Sequence, residues 1–176
     1  TDGHEWNVEQ ATADLPGDTK VRAVGTLGVA DARPTFRGQL SVTSARLDAL
    51  AALWRKPSDD SALVNFGATL EGRLVLGADA LGLTAGHLTL DGHSHAVELR
   101  VGFGAEKRLD VVGQFDALSD RGSAAVQALL PSGGVDQAFL NSFPSGSFSL
   151  HGKAARLLGQ AGTDLVAEGQ WTAEAL

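Results

Sequence analysis

Residues 34–44 read Pro-Thr-Phe-Arg-Gly-Gln-Leu-Ser-Val-Thr-Ser, and apolar and polar side chains alternate along the stretch. Phe36, Gly38, Leu40 and Val42 lie on one side, and the polar residues between them lie on the other. Because successive side chains of a strand point to opposite faces, this period of two is typical of a strand with one face buried. The stretch therefore predicts a β-strand that lays one side on an apolar core.

The same alternation extends outward in both directions along the chain. It recurs in residues 6–15, 20–29, 63–77, 95–103, 109–115, 147–154 and 164–172. Eight or nine strands at this spacing, several joined by short turns rich in Gly or Asp, predict a mainly β protein. We expect residues 1–176 to form a single domain built on a long, curved antiparallel sheet, an open groove or half-barrel.

Helical spacing interrupts the strands in up to three places. The first helix is predicted after Ser44, an acceptable N-cap, because apolar residues then recur at the spacing of a helix face. These are Leu47, Leu50, Ala51 and Trp54. Two shorter helices are predicted over residues 123–130 and 135–141. We expect one to three short helices to pack on the sheet.

Glycine followed two residues later by a large apolar residue recurs inside the strands. The pairs are Gly25 and Leu27, Gly38 and Leu40, Gly72 and Leu74, Gly86 and Leu88, Gly113 and Phe115, and Gly169 and Trp171. Mid-strand glycine offers no side chain to pack, so its repetition indicates bends, bulges or close backbone approach. The alternation also changes phase at Gly86, which predicts a bulge there.

The apolar sides of these strands form a stripe with two possible uses. Its members are Phe36, Leu40, Val42, Val64, Phe66, Leu70, Leu74, Leu76, Leu99, Val101, Phe103 and Phe115. The stripe is typical of an ordinary core beneath a helix, but it also suits a groove that shields acyl chains from water. One face can serve both purposes if a helix covers one end and leaves the other open.

Composition excludes several classes of function. The 176 residues carry 14 Lys and Arg against 21 Asp and Glu, a net charge of −7, which disfavours binding to nucleic acid. No cysteine is present, so thiol nucleophiles and Cys-ligated metals are excluded. The sequence shows no signal-peptide pattern and no apolar run long enough to span a membrane. Because it begins at Thr1 and contains no methionine, we expect it to be a piece of a longer polypeptide.

Catalytic and metal-binding patterns are weak. Asp91, His93 and His95 form a conceivable metal-ligand set, yet residues 91–94 are typical of a solvated hairpin turn between strands that end at Leu90 and begin at His95, which we favour. The adjacent Asp59 and Asp60 lie in a polar turn, where solvent holds carboxylates near their reference pKa. Since the chain also lacks a Gly-x-Ser-x-Gly nucleophile elbow, we expect neither an enzyme nor a bound cofactor.

The order of these segments resembles the periplasmic part of AsmA-family bacterial envelope proteins. The resemblance covers roughly residues 5–118. It is carried by Trp6-Asn-Val8, Leu15-Pro-Gly17, Ala23-Val-Gly25-Thr-Leu27, Pro34 to Ser44, Leu47 and the Leu50 to Trp54 helix, Leu70-Glu-Gly72-Arg-Leu74 and Leu83 to Leu90. The chain departs from the family in lacking its N-terminal anchor and in being much shorter.

The resemblance implies a location and a function. Family members look like inner-membrane-anchored proteins whose periplasmic part is a curved β-groove with an apolar interior. It implies a non-enzymatic periplasmic segment that supports outer-membrane biogenesis by binding phospholipid acyl chains or carrying phospholipid between membranes. The expected partners are phospholipid, the inner membrane through an anchor on the parent chain, and other envelope proteins, with no nucleic acid.

Two alternatives from other classes remain open. A β-sandwich that binds glycans or mediates adhesion would present exposed aromatic platforms. The chain has no tyrosine, and Trp6, Trp54 and Trp171 sit in apolar-periodic contexts that predict burial. The other alternative is a purely structural domain that spaces or caps a longer assembly and binds nothing small.

Overall fold

A computed structural model describes residues 5–56, 62–130, 137–157 and 160–172. In these residues nine strands lie side by side in one open sheet, in the order in which they occur along the chain. The strands are β1 Trp6–Leu15, β2 Thr19–Ala30, β3 Arg33–Ser44, β4 Ala68–Leu76, β5 Ala80–Leu90, β6 His93–Phe103, β7 Lys107–Ala117, β8 Ser145–Leu157 and β9 Gln160–Thr172. The prediction of a mainly β protein on one open sheet is confirmed, whereas the two packed layers of a β-sandwich are not what these strands form.

Three short helices accompany the sheet in the described ranges. They are α1 Leu47–Ala51, α2 Asp120–Leu129 and α3 Gln137–Ser142. The boundaries of α2 differ from the predicted range because Ser119 is its N-cap, accepting a hydrogen bond from the Gly122 amide at 2.9 Å. Within the described ranges, no helix has both the length and the apolar character needed to span a membrane.

The prediction of an all-antiparallel sheet is wrong at one position. β7 and β8 pair in parallel, with Leu109 opposite Gly146. Parallel neighbours need a crossover, and the segment containing α2 and α3 carries the chain from the end of β7 back to the level at which β7 began. That crossover places helices on one side of the sheet, over its last strands.

The predicted bulge is confirmed in β5. Leu83 pairs with Leu99 and Gly86 pairs with Val97, which leaves one extra residue on β5. Ala85 has a φ of +49°, the left-handed conformation that suits such a bulge. The extra residue restores the phase, so the apolar residues before and after it face the same way.

Two sequence predictions near α1 are wrong. Ser44 ends β3 and does not cap α1; its buried hydroxyl accepts a hydrogen bond from Thr19 Oγ1 at 2.8 Å. The strand predicted from residue 63 begins only at Ala68, because residues 62–65 form turns. The Asp59-Asp60 pair and residues 131–136 lie outside the described residues, so the predictions that fall on them stand as predictions.

Candidate functional site: the apolar face of the sheet

One side of the sheet carries nearly all of its large apolar side chains, and we call it the apolar face. The strand register arranges them in rows that cross the sheet. One row, which we call the long row, crosses all nine strands as Trp6, Leu27, Phe36, Leu76, Leu81, Val101, Leu109, Gly146 and Trp171. Neighbouring strands are ~4.8 Å apart, so the row is a continuous apolar path across the sheet.

Glycines let the large side chains of this face lie flat against the backbone. A Cβ atom on Gly72 would come within 3.0 Å of Leu83 Cδ1, and one on Gly38 would come within 2.8 Å of Phe36 Cζ. Each of these side chains therefore occupies the place that a neighbouring residue's side chain would fill. Leu83 is only 1% exposed, yet it belongs to neither of the helix-covered clusters described next. The recurring glycines thus produce a smooth apolar surface, in agreement with the close approach that the sequence predicted.

Helices cover part of the apolar face. Ala125, Val126 and Ala128 of α2 form one cluster with Phe115 and Leu150 of the sheet, to which Leu47 and Ala51 of α1 also belong. A second cluster contains Phe139 and Leu140 of α3 and Trp171 of β9. The Trp171 indole donates a hydrogen bond from Nε1 to the Phe143 carbonyl at 3.0 Å, and its ring centroid lies 5.7 Å from that of Phe139. These contacts close the long row at β9.

The rest of the face, over β2 to β6 apart from the ends of β4, β5 and β6 around Ala68, Leu90 and His95, lies outside both clusters, and we call it the open part. Leu76, Leu81, Leu99 and Val101 are half-buried there and pack against neither cluster. Phe103, at the end of β6, is 44% exposed. Phe36, Leu74, Leu83 and Val97 of the open part are buried, so its exposed apolar surface is provided by these half-buried side chains and by Phe103, and it continues into the helix-covered part.

Most of the twelve residues that the sequence predicted lie on this face. Those on it are Phe36, Leu40, Val42, Leu70, Leu74, Leu76, Leu99, Val101, Phe103 and Phe115. The predicted placement of Val64 on this face is wrong, because Val64 lies in the turn before β4 and is 42% exposed. Phe66 is buried before the start of β4 and packs with the α1 and α2 residues, so it belongs to the cover and not to the surface of the strands.

The sequence list missed Leu27, Leu81 and Leu83. The two β5 residues are out of phase with Leu88, so only the bulge at Ala85 brings them to the same face. The phase change at Gly86 was the available signal. Leu27 follows the Gly-x-apolar pattern, and its pairing with Phe36 identifies it as part of the face.

His95 is a buried titratable residue in the helix-covered part of the apolar face. It is 3% exposed, its register partner is Leu88, and its ring centroid lies 5.1 Å from that of Phe115. Neither ring nitrogen has a hydrogen-bond partner among the described residues. Burial, and next the nearby His93, hold the pKa of His95 below its ordinary value, while Asp116 acts in the opposite direction. The imidazole is therefore neutral at pH 7.

The metal site considered from sequence is not formed. His93 is exposed at the start of β6, His95 is buried, and the Asp91 carboxylate accepts a hydrogen bond from the Ser119 hydroxyl. The hairpin turn is confirmed but is shorter than predicted: Asp91 and Gly92, with φ of +48° and +77°, form a two-residue turn, and β6 begins at His93. Within the described part of the chain, no three His, Asp or Glu side chains come together in a way that would hold a metal ion.

The opposite face of the sheet is largely polar. Arg108 Nε lies 2.8 Å from Asp110 Oδ1, and Ser147 donates a hydrogen bond to the same oxygen at 2.6 Å. Burial raises the pKa of Asp110, but these hydrogen bonds outweigh it and hold that pKa below its ordinary range. A shallow hollow of about 410 Å³ lies over Gly82 on this face, between Val75 and Val112. It is the competing apolar surface against which ligand binding must be tested.

The burial of the tryptophans was predicted with mixed success. Trp171 is buried, Trp54 is half-buried, and Trp6 on the edge strand β1 is 50% exposed, contrary to the prediction.

Comparison of this chain with models of known protein families, with curated proteins and with solved structures finds no match.

Proposed function

We propose that this chain is a non-enzymatic, lipid-holding segment of a periplasmic protein of the AsmA kind, whose parent chain is anchored in the inner membrane. In this proposal the segment supports outer-membrane biogenesis by binding phospholipid or passing it between membranes. The observation that carries the proposal is the open part of the apolar face, which continues across five strands without a charged side chain in the long row.

The dimensions of the open part suit one acyl chain. From β2 to β6 the long row crosses four strand spacings of ~4.8 Å, about 19 Å. The hydrocarbon core of a bilayer is ~30 Å thick, so the chains of one leaflet extend about 15 Å. An acyl chain laid along the row therefore fits between β2 and β6 with its whole length against apolar side chains.

The hydrophobic effect would stabilise an acyl chain on the open part. Each CH₂ group removed from water contributes about 0.8 kcal/mol. A chain that buries even one side on the open part also removes Leu76, Leu81 and Val101 from water. The glycine-flattened floor favours this contact because no side chain stands up to block the path.

The helices cover the apolar face at the β9 side of the sheet, so the two sides of the sheet differ. Phe139 and Trp171 close the long row at β9, whereas neither of the two clusters described above contains a residue of β1 or β2. A lipid on this face therefore meets α3 at one end and finds the face open toward β1. This arrangement favours a segment that holds or terminates a lipid path at its β9 side.

Lipid retained by detergent-free protein tests the proposal, with two matched variants. Phe103 and Val112 are 44% and 45% exposed, and they lie on the apolar and the opposite face. We expect native mass spectrometry to detect phospholipid or fatty acid on wild-type protein. Phe103→Glu should lower retention about tenfold, as expected for loss of about 1.4 kcal/mol, and Val112→Glu should leave it unchanged.

Two results would count against lipid binding. If wild-type protein carries no lipid and takes none from phospholipid vesicles, the structural-spacer alternative is favoured. If Val112→Glu lowers retention and Phe103→Glu does not, lipid binds on the opposite face and the apolar face is not the site.

A further inference from the structure

His95 occupies an unusual position in the sheet. It belongs to a row of the apolar face that contains Val42, Leu70 and Leu88, and it packs on the ring of Phe115. The residues of the long row and of the two rows that follow it are all apolar or glycine. His95 is thus an ionisable group buried among apolar residues of this face, whereas His93, two residues earlier on the same strand and the same face, is exposed.

A proton on His95 has little to stabilise it in this position. Both ring nitrogens are buried without a hydrogen-bond partner in the described residues. On β6 the nearest ionisable group is His93, which repels an added charge. On β7 it is Asp116, which attracts the charge but is exposed and shares its carboxylate with Lys153 Nζ at 2.7 Å. Since a buried charge without a close partner is strongly disfavoured, protonation favours any conformation that brings His95 into water.

The cover over this part of the face is held by the apolar packing of Ala125, Val126 and Ala128 and by surface contacts at the start of α2. The Ser119 hydroxyl bonds to Asp91 in the hairpin turn. Arg121 donates a hydrogen bond to the Asn65 carbonyl at 3.0 Å, and its guanidinium carbon lies 5.1 Å from the centroid of the Phe66 ring. The charged residues at this end of α2, Asp120 and Arg121, are exposed. Contacts between exposed groups contribute about 0–1 kcal/mol each, far less than the ladder that holds β5, β6 and β7 together.

We propose that His95 is an acid-sensitive switch whose protonation releases α2 from the sheet and enlarges the open part of the apolar face. The release of α2 does not depend on lipid. Its consequence, a larger surface for an acyl chain that includes Phe115 and Leu150, rests on the proposed function.

The direction and size of the pH effect follow from proton linkage. In the released form the imidazole titrates near its ordinary pKa of about 6.5, and in the covered form its pKa is lower. The released form therefore binds more protons below about pH 6.5. The ratio of released to covered form rises by at most about tenfold for each pH unit, until the pKa of the covered form is reached.

Hydrogen exchange of the α2 amides tests the switch without lipid. Between pH 7.5 and 5.0, after correction for the intrinsic rates, we expect protection of Asp120–Leu129 to fall up to about tenfold per pH unit below about 6.5. Protection in β2 and β3 should stay constant. His95→Leu should remove the pH dependence, and His93→Leu, at the exposed first position of the same strand, should keep it.

Several results would overturn the switch. An unchanged pH dependence in His95→Leu assigns the effect to another group. Parallel loss of protection in β2 and β3 describes global acid unfolding. If His95→Leu does not fold, the imidazole of His95 is titrated by NMR in wild-type protein, and α2 amide shifts that do not follow that titration refute the proposal.

Uptake of a fluorescent fatty acid separates this proposal from the proposed function. If α2 is released in acid and uptake increases, both stand. If α2 is released but the protein takes up no fatty acid at any pH, the switch stands and lipid binding fails. Uptake that is the same at pH 7.5 and 5.5, with α2 protected at both, refutes the switch and retains lipid binding.

Discussion

Gly146 is a position on the apolar face at which the structure leaves almost no room for a side chain. It lies opposite Leu109 on β7 and opposite Trp171 on β9. A Cβ atom there would be 2.1 Å from the Leu109 carbonyl oxygen and 2.2 Å from Trp171 Cζ2. Both distances are far below contact, so Gly146→Ala must move either the backbone of β7 or the buried indole.

The expected cost combines two contributions. Forcing an extra methyl group into a packed site costs about 1–3 kcal/mol. Moving the Trp171 indole also weakens its hydrogen bond to the Phe143 carbonyl, which contributes about 1 kcal/mol. Together we expect Gly146→Ala to lower the free energy of unfolding by about 2–4 kcal/mol. For a chain of this size that corresponds to a fall in Tm of roughly 5–15 °C.

Gly82→Ala is the matched control, since a Cβ atom on Gly82 meets nothing within 4 Å. It should leave Tm unchanged or raise it slightly, because alanine restricts the unfolded chain by about 0.4–1 kcal/mol more than glycine does. Differential scanning calorimetry of the three proteins measures both effects. A Gly146→Ala protein that melts with the wild type would falsify the account of these glycines as seats for neighbouring side chains.

Two further substitutions test local contacts. In urea titrations, Thr19→Val should lower the free energy of unfolding by about 1–2 kcal/mol with an unchanged m-value, because it removes a buried hydrogen bond to Ser44. Thr43→Val on the exposed face should change the free energy of unfolding by less than about 0.5 kcal/mol. Equal effects of the two substitutions would contradict this. Ser119→Ala should cost about 1 kcal/mol through loss of the cap on the Gly122 amide, and Ser119→Asn should restore most of it; a neutral Ser119→Ala would show that the cap contributes nothing.

The strands were predictable because their signal is local. Alternation such as that of Phe36, Leu40 and Val42 depends only on the geometry of an extended chain, and a change of phase at Gly86 has few physical causes besides a bulge. A turn at Asp91 and Gly92 was predictable for the same reason, since both residues tolerate positive φ, although the turn is two residues shorter than predicted because β6 begins at His93.

The features that escaped prediction depend on distant parts of the chain. The parallel pairing of β7 with β8 follows from where α2 and α3 return the chain, which no period in the sequence encodes. Phe66 and Val64 alternate like a strand, but Phe66 is drawn out of the sheet by its packing with α1 and α2. His95 stands next to a solvated turn, and its burial follows from Phe115 and Leu88, which reach it only through the register of the sheet.

Photo-crosslinking with a phospholipid that carries a diazirine in its acyl chain maps where the bound chain lies and so tests the claim of lipid binding. The claim is that an acyl chain lies along the long row over β2 to β6. We predict that peptide mapping finds the labelled sites at Leu76, Leu81 and Val101. Label confined to Val75 and Val112, beside the hollow over Gly82, or no label above that of an unfolded control, would contradict it.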